Sequence, residues 1–243
     1  MIFIGRWEDY IDKIPPYHLV VTDPPYGATP QHWDRRPEWK TLLESLFCYG
    51  LPTAQLWMFV RMPWAIEVYE AAKRAGWIYK QELIWKKQNA GGCTSRSLRK
   101  VHENLWHFVK KGSATYNGEA LRSPKTTKGD KSVADRGSST TQHFSEVGGG
   151  QYVDDGYRLQ TTVAEIRNLH RSPESLGHPT QKPLALLRIP IIYSSNPGDT
   201  VLDPFAGTGS TVACAKMLGR CGIGMESDEH WAIVAKERCS ARR

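Results

Sequence analysis

The sequence contains no Cys-x-x-Cys pair. Its five cysteines, Cys48, Cys93, Cys214, Cys221 and Cys239, are odd in number and scattered through 243 residues. That pattern argues against a disulfide framework and against a structural zinc site, so the thiols are expected as small reduced core residues and no metal is implied. Long apolar runs are missing too, and no segment reaches the length of a membrane span. The start, Ile2-Phe3-Ile4-Gly5, has no basic segment leading into a long apolar stretch, so a cytoplasmic protein without membrane attachment is expected. Two phosphate-binding patterns are absent as well. After Gly207 and Gly209 come Ser210, Thr211 and Val212, and the next glycine is Gly219, which breaks the Gly-x-Gly-x-x-Gly of dinucleotide sites. No Gly-Lys-Ser/Thr follows a glycine-rich turn, so NAD and ATP are both disfavoured.

What is present is a basic chain of ordinary globular composition, 40% hydrophobic, with 32 Lys and Arg against 25 Asp and Glu and nine tryptophans. A net charge of +7 favours a polyanionic partner. Periodicity predicts a strand at 1–5, a short amphipathic stretch over 7–14, and a buried strand at 18–22 stopped by Pro24 and Pro25. A helix is predicted over 39–49, a strand over 55–60, a helix over 63–75 closed by Gly76, and strands over 78–85 and 104–109. This alternation of strand and helix predicts a largely parallel sheet. From about residue 110 to 177 the chain turns rich in Gly, Ser and Thr, with Gly148-Gly149-Gly150 and no sustained period. Regular structure returns with a helix over 183–194 bent at Pro190, a strand over 200–202, a helix over 211–218, a strand over 221–225 ending in Glu226, and a helix over 229–239. The expected architecture is one doubly wound α/β domain, residues 1–110 and 178–243, interrupted by an insertion at 111–177.

In such sheets ligands bind beyond the carboxyl ends of the strands, and two strand-ending loops carry chemistry. The first runs Asp203-Pro204-Phe205-Ala206-Gly207-Thr208-Gly209-Ser210. Its glycines let the backbone approach a ligand, and the helix start beyond them favours a carboxylate or phosphate. Glu226, 19 residues after Gly207, is placed to accept hydrogen bonds from two ribose hydroxyls, which points to a nucleoside cofactor. The second loop is Asp23-Pro24-Pro25-Tyr26. Consecutive prolines fix φ and offer carbonyls without N–H groups, so the loop presents a rigid pair of acceptors, the Asp23 carboxylate and the Pro24 carbonyl. With the flat ring of Tyr26 beside them, they suit an exocyclic amino group on a planar heterocycle.

Together these loops resemble those of the DNA amino-methyltransferases, in which Asp-Pro-Pro-Tyr holds the target base and Asp-Pro-Phe-x-Gly-x-Gly holds S-adenosylmethionine. The order, catalytic motif before cofactor motif, is similar to the β group of that family, as is His178-Pro179-Thr180-Gln181-Lys182-Pro183. The resemblance covers about residues 1–110 and 178–243 and implies a Rossmann-like class I methyltransferase sheet in circularly permuted order. The segment between would be the target-recognition region. The resemblance further implies that Asp203 and the loop through Pro204, Ala206, Gly207, Thr208 and Gly209 hold the methionine portion of the cofactor. Phe205 would line its pocket, Glu226 bind its ribose, and Thr180, Gln181 and Lys182 close the methionine end. One departure stands out: Arg6 and Trp7 follow Gly5, where the family has an acid that would contact the cofactor's adenine.

An exocyclic amine is a poor nucleophile because its lone pair is delocalised into the ring. If Asp23 and the Pro24 carbonyl each accept one N–H, the lone pair is drawn toward the methyl donor, and transfer is direct. The base must leave the duplex stack to be reached, with Tyr26 to stack on. Asp rather than Ser at position 23 leans toward adenine N6, with cytosine N4 as the alternative. A catalytically inactive DNA-binding module would show a damaged motif, and neither loop is damaged. A small-molecule or protein-glutamine N-methyltransferase would place its cofactor motif first, and RNA is not excluded as substrate. A bacterial or phage origin fits, and a homodimer and a cognate restriction enzyme are left open as partners of this double-stranded DNA enzyme.

The +7 is not spread evenly. Between residues 73 and 111 there are ten Lys and Arg against Glu82 and Glu103 alone, a net +8, while 112–177 balances eight against eight. Lys86, Lys87, Arg96, Arg99 and Lys100 are expected to contact DNA phosphates, which predicts salt-sensitive binding. Arg35 and Arg36 lie in the loop 27–37 that follows the catalytic motif and could close over the flipped base. Trp57, Trp64, Trp77, Trp85 and Trp106 are expected in packing roles. His32, His143 and His170 show no metal-ligand spacing.

Overall fold

Alternating apolar runs and amphipathic segments build a sheet with helices on both faces. The structure, a computed structural model, describes residues 1–27, 34–88, 98–111, 114–124, 156–169 and 172–240. Among them the strands are β1 (Ile2–Ile4), β2 (Leu19–Thr22), β3 (Gln55–Val60), β4 (Ile78–Lys86), β5 (His102–Val109), β6 (Ser123–Pro124), β7 (Tyr157–Arg158), β8 (Val163–Glu165), β9 (Thr200–Asp203) and β10 (Cys221–Glu226). The helices are α1 (Trp39–Tyr49), α2 (Trp64–Ala75), α3 (Leu184–Ser194), α4 (Ser210–Met217) and α5 (Glu229–Ser240). The amphipathic stretch after β1 contracts to a 3-10 turn, Trp7–Asp9, that still buries Trp7 and Ile11. Pro190 sits inside α3, which continues through it.

Eight strands form one sheet in the order β1-β10-β9-β2-β3-β5-β4-β8. All neighbours are parallel except where β5 pairs antiparallel with β3 and β4. The expectation of a largely parallel sheet therefore holds with one exception. In the sequence no helical pattern separates β4 from β5, and without a helical crossover the chain returns alongside the strand it has just left. The permuted order is visible at the edge, where N-terminal β1 pairs with C-terminal β10.

Period-two alternation sorts the strand side chains between two cores. Val20, Leu56, Met58 and Leu202 face Leu42 and Leu46 of α1 and Val68 of α2. Leu19, Val21, Trp57, Phe59 and Val201 face Leu186, Leu187 and Ile191 of α3. Trp57, Trp77 and Trp85 are buried in these layers, and Trp64 and Trp106 pack at their margin.

The described ends of the insertion are fastened to this scaffold. β8 extends the sheet along β4, with Ile84 opposite Val163, and the Trp85 indole N–H donates to the Ile166 carbonyl at 2.8 Å. Asn117 donates its amide N–H groups to the carbonyls of Ile192 and Ser195 at the end of α3. The stretch with Gly148-Gly149-Gly150 lies outside the described residues. Among the described residues no helix is long and apolar enough to cross a membrane.

Candidate active site

β9 and β2 lie side by side, but the chain runs from them in opposite directions across the sheet, β9 toward β10 and β2 toward β3. A crevice at the carboxyl ends of strands is the expected consequence of such a reversal. The last residue of β2, Thr22, donates its hydroxyl to Asp203, the last residue of β9, at 2.8 Å. The two loops read from the sequence thus start from bonded neighbours and open onto one cavity of about 640 Å³.

The cofactor-side loop is shaped by backbone contacts to the end of β10. Ala206 N–H donates to the Met225 carbonyl and Gly207 N–H to Glu226 Oε2, both at 2.8 Å, while Asp228 N–H reaches Glu226 Oε1 at 2.8 Å. Burial raises the Glu226 carboxyl above its ordinary value, against these backbone donors. Asp203 is buried and accepts from Thr22 and from Phe205 N–H at 3.1 Å. Burial pushes its carboxyl up to about 6 despite those bonds. Gly207 has φ 50°, which favours glycine, and a Cβ there would meet the His178 ring at 3.8 Å, an ordinary contact. Asp203, Pro204, Phe205, Ala206, Gly207, Thr208 and Glu226 all line the cavity. Gly209 does not: with φ 72° it caps α4, and a Cβ would stand 3.0 Å from Ala235 of α5. It serves helix packing.

Asp23, Pro24, Pro25 and Tyr26 line the opposite wall. Tyr26 donates its hydroxyl to the Phe59 carbonyl, and its ring lies 6.1 Å from that of Trp39. The turn after it is held by Asp34, whose Oδ1 accepts the N–H groups of both Tyr26 and Gly27 at 2.9 Å. Nothing in the sequence marked Asp34 for that task.

Thr180, Gln181 and Lys182 enter the same cavity. Gln181 fastens its own loop, donating to the Glu174 carbonyl and accepting from Leu176 N–H. The ammonium of Lys182 is buried and pairs with Asp23 Oδ2. It lies 3.5 Å from Glu103 Oε2, donates to the Thr180 carbonyl at 3.2 Å and sits 4.7 Å above the Phe59 ring. Glu103 in turn pairs with Lys87. Burial pushes Asp23 upward and Lys182 pulls it back. Burial works against the charge of Lys182, but Asp23 and Glu103 raise it above its ordinary value. Glu103 falls to about 2, burial being outweighed by Lys182 and Lys87. The sequence carried one hint of this cluster: Glu103 is one of two acids in the basic block.

The expected DNA contacts are placed unevenly. Arg35 and Arg36 line the cavity mouth, and Arg36 pairs with Glu67 at 3.3 Å. Lys86 is exposed and pairs with Glu165 at 3.1 Å, and Lys87 turns toward Glu103. Arg99 and Lys100 are exposed, Lys100 within the field of Glu103, and Arg96 lies outside the described residues, as do His32, His143 and His170. Lys110, counted in the basic block, is buried and donates to the Gly50 carbonyl at 2.7 Å. Where the family's acid would follow Gly5, Arg6 pairs with Glu8 at 2.6 Å, and both line the cavity.

A mostly parallel sheet with two acid-bearing loops meeting over one cavity at the reversal point defines a methyltransferase of the Rossmann-like class. The chain matches the DNA methylase family over residues 17–237, and it belongs to that family. The Type II methyltransferase M.HpaI of Haemophilus parainfluenzae is 29% identical over 234 residues, covering 90% of this chain and 67% of that protein. The DNA adenine methyltransferase YhdJ of Escherichia coli K12 is 28% identical over 233 residues, covering 90% and 75%. Among solved structures, M1.HpyAVI in complex with SAM aligns with a TM-score of 0.70 at 23% identity, covering 99% of this chain and all of that one. The cytosine-N4-specific PvuII DNA methyltransferase aligns with a TM-score of 0.68 at 14% identity, covering 100% and 86%.

Proposed function

We propose that this protein is a site-specific DNA methyltransferase that moves a methyl group from S-adenosylmethionine to the exocyclic N6 of an adenine flipped out of duplex DNA. The observation that carries the reading is the meeting of two intact loops, Asp23 to Tyr26 and Asp203 to Thr208, over one cavity.

The residues fit the cofactor. A volume of about 640 Å³ lies within the range of small-molecule sites. Asp203, buried, and Glu226, half-buried, supply acceptors suited to an ammonium and to ribose hydroxyls, and Phe205 and Trp231 supply apolar walls. Gly207 leaves room for close backbone approach. Bound there, S-adenosylmethionine supplies a methyl group already activated by its sulfonium. The protein's task is then to position the amine. Asp23 and the Pro24 carbonyl accept its two N–H groups, drawing the lone pair out of the ring. Tyr26, its hydroxyl fixed on Phe59, offers the face on which the base stacks.

Asp at position 23 and the similarity to an adenine methyltransferase support adenine over cytosine N4. The insertion at 111–177 would read the recognition sequence, and Arg35, Arg36, Lys86, Arg99 and Lys100 would meet the phosphates. The Type II relative supports a restriction-modification setting in the cytoplasm of a bacterium. Transfer of a tritiated methyl group from S-adenosylmethionine into duplex DNA tests the reading. Wild-type protein should label DNA, and Asp23→Ala should not while still binding the cofactor. Loss of cofactor binding together with labelling would make the Asp23 loop structural.

A further inference from the structure

Because β5 runs against its neighbours, its first residues lie at the same end of the sheet as the carboxyl ends of β2 and β3. Glu103 therefore stands at the active-site end, opposite Trp85 in the β4 register, although it belongs to neither motif loop. There it completes a row of alternating charges, Asp23, Lys182, Glu103 and Lys87.

The row holds a conflict. Asp23 has to offer its oxygens to the target amine, yet Lys182 occupies Oδ2. The Lys182 side chain is only 9% exposed, so an ammonium released from Asp23 into that pocket without another carboxylate would be a costly unpaired charge. Glu103 Oε2 is 3.5 Å away, within reach of a small side-chain rotation. The Thr180 carbonyl and the Phe59 ring flank the ammonium and line its path.

We propose that Glu103 is a positioning residue of the catalytic centre, a second seat to which Lys182 shifts its ammonium when Asp23 takes the target amine. The proposal rests on Asp23 being the acceptor of that amine. In the free protein Lys182 shares itself between both carboxylates, and Lys87 holds Glu103 in place. When the base arrives, Lys182 stays paired, and Asp23 is freed without stranding a charge.

Charge around Asp23 comes from Lys182, Glu103 and Lys87, with Tyr26 and Asp203 on its other sides. Arg61 and Lys100 stand beyond Glu103, and His178 faces Lys182. Removing the negative charge of Glu103 lowers Asp23, and removing the positive charge of Lys182 raises it.

Steady-state methylation of duplex DNA across pH separates this role from a structural one. In Glu103→Gln, Lys182 has only Asp23 to sit on, so turnover should fall by roughly tenfold or more. The acid limb of kcat/KM should move to lower pH, with S-adenosylmethionine affinity unchanged. In Lys182→Met the acid limb should move to higher pH. The double variant should turn over faster than Glu103→Gln alone, because no lysine is left to block Asp23, and Glu103→Asp should restore activity. Wild-type turnover in Glu103→Gln, a double variant no better than that single one, or loss of cofactor binding in Glu103→Gln would each overturn the proposal. Activity retained by Asp23→Ala would instead defeat the catalytic reading on which it rests.

Discussion

Thr22 donates its hydroxyl to Asp203 at 2.8 Å, joining the last residue of β2 to the last residue of β9 beneath both active-site loops. One hydrogen bond thereby couples the Asp23 loop to the Asp203 loop, the two walls proposed to hold base and cofactor. Thr22→Val keeps the shape and removes the donor. Losing a bond to a buried carboxylate should cost about 1.5 kcal/mol of folding stability. Because the Thr22 hydroxyl holds the Asp203 pKa down, Asp203 should keep its proton to higher pH and S-adenosylmethionine affinity near pH 6 should fall, measured by calorimetry.

With Asp203 as the proposed partner of the cofactor's ammonium, cofactor binding should depend on pH. The Asp203 carboxyl titrates at about 6 in the folded protein, raised by burial from the ordinary 3.8. In the proposed role its ionised form would pair with that ammonium, so affinity should be full above pH 6 and weaken roughly tenfold per unit below it. The stability of the free protein has the opposite sign. The folded state holds the Asp203 proton longer than the unfolded chain, so this group's contribution falls as pH rises from about 4 to about 6 and then levels off. Asp203→Asn should flatten both curves.

Asp34 accepts two backbone N–H groups of the catalytic turn, from Tyr26 and Gly27. Asp34→Ala leaves both without that partner and loosens the loop that carries the acceptor pair. Turnover on DNA should drop by about tenfold with cofactor affinity nearly unchanged, because a small misplacement of positioning groups is costly in rate. Equal losses in both measurements would mean that Asp34 supports the whole cavity.

The basic block divides into exposed and inward residues. Arg99→Ala and Lys100→Ala should each lower the slope of log DNA affinity against log salt by about one. Lys110→Ala should leave that slope unchanged and lower thermal stability, since its ammonium is spent on the Gly50 carbonyl inside the fold and stacks 4.7 Å from the Phe47 ring.

Much of this architecture was legible in the chain. A helical period predicted α1 at 39–49 and a short continuous apolar run predicted β3 at 55–60 with the bounds observed, because α1 buries one face and β3 is buried on both. Both site loops were visible because proline and glycine fix unusual backbone at strand ends. What could not be read was pairing between residues distant in sequence. Lys182, expected at the methionine end of the cofactor, lines the shared cavity, and its pairing with Asp23, 159 positions away, had no mark in the sequence. Asp34 and Glu103 carry no local pattern that distinguishes a clamp or a counter-ion from a surface acid. The missing helix between β4 and β5 does foretell an antiparallel β5, but not which strand-ending loop its first residues, Glu103 among them, come to face.

The proposed role of Asp23 and the Pro24 carbonyl is to hold an adenine amine for methylation. Mass spectrometry of nucleosides from duplex DNA treated with the protein and S-adenosylmethionine tests it directly. N6-methyladenine is expected with the wild type and should be absent with Asp23→Ala. N4-methylcytosine alone, or no methylated base across diverse duplex DNA, would contradict that role.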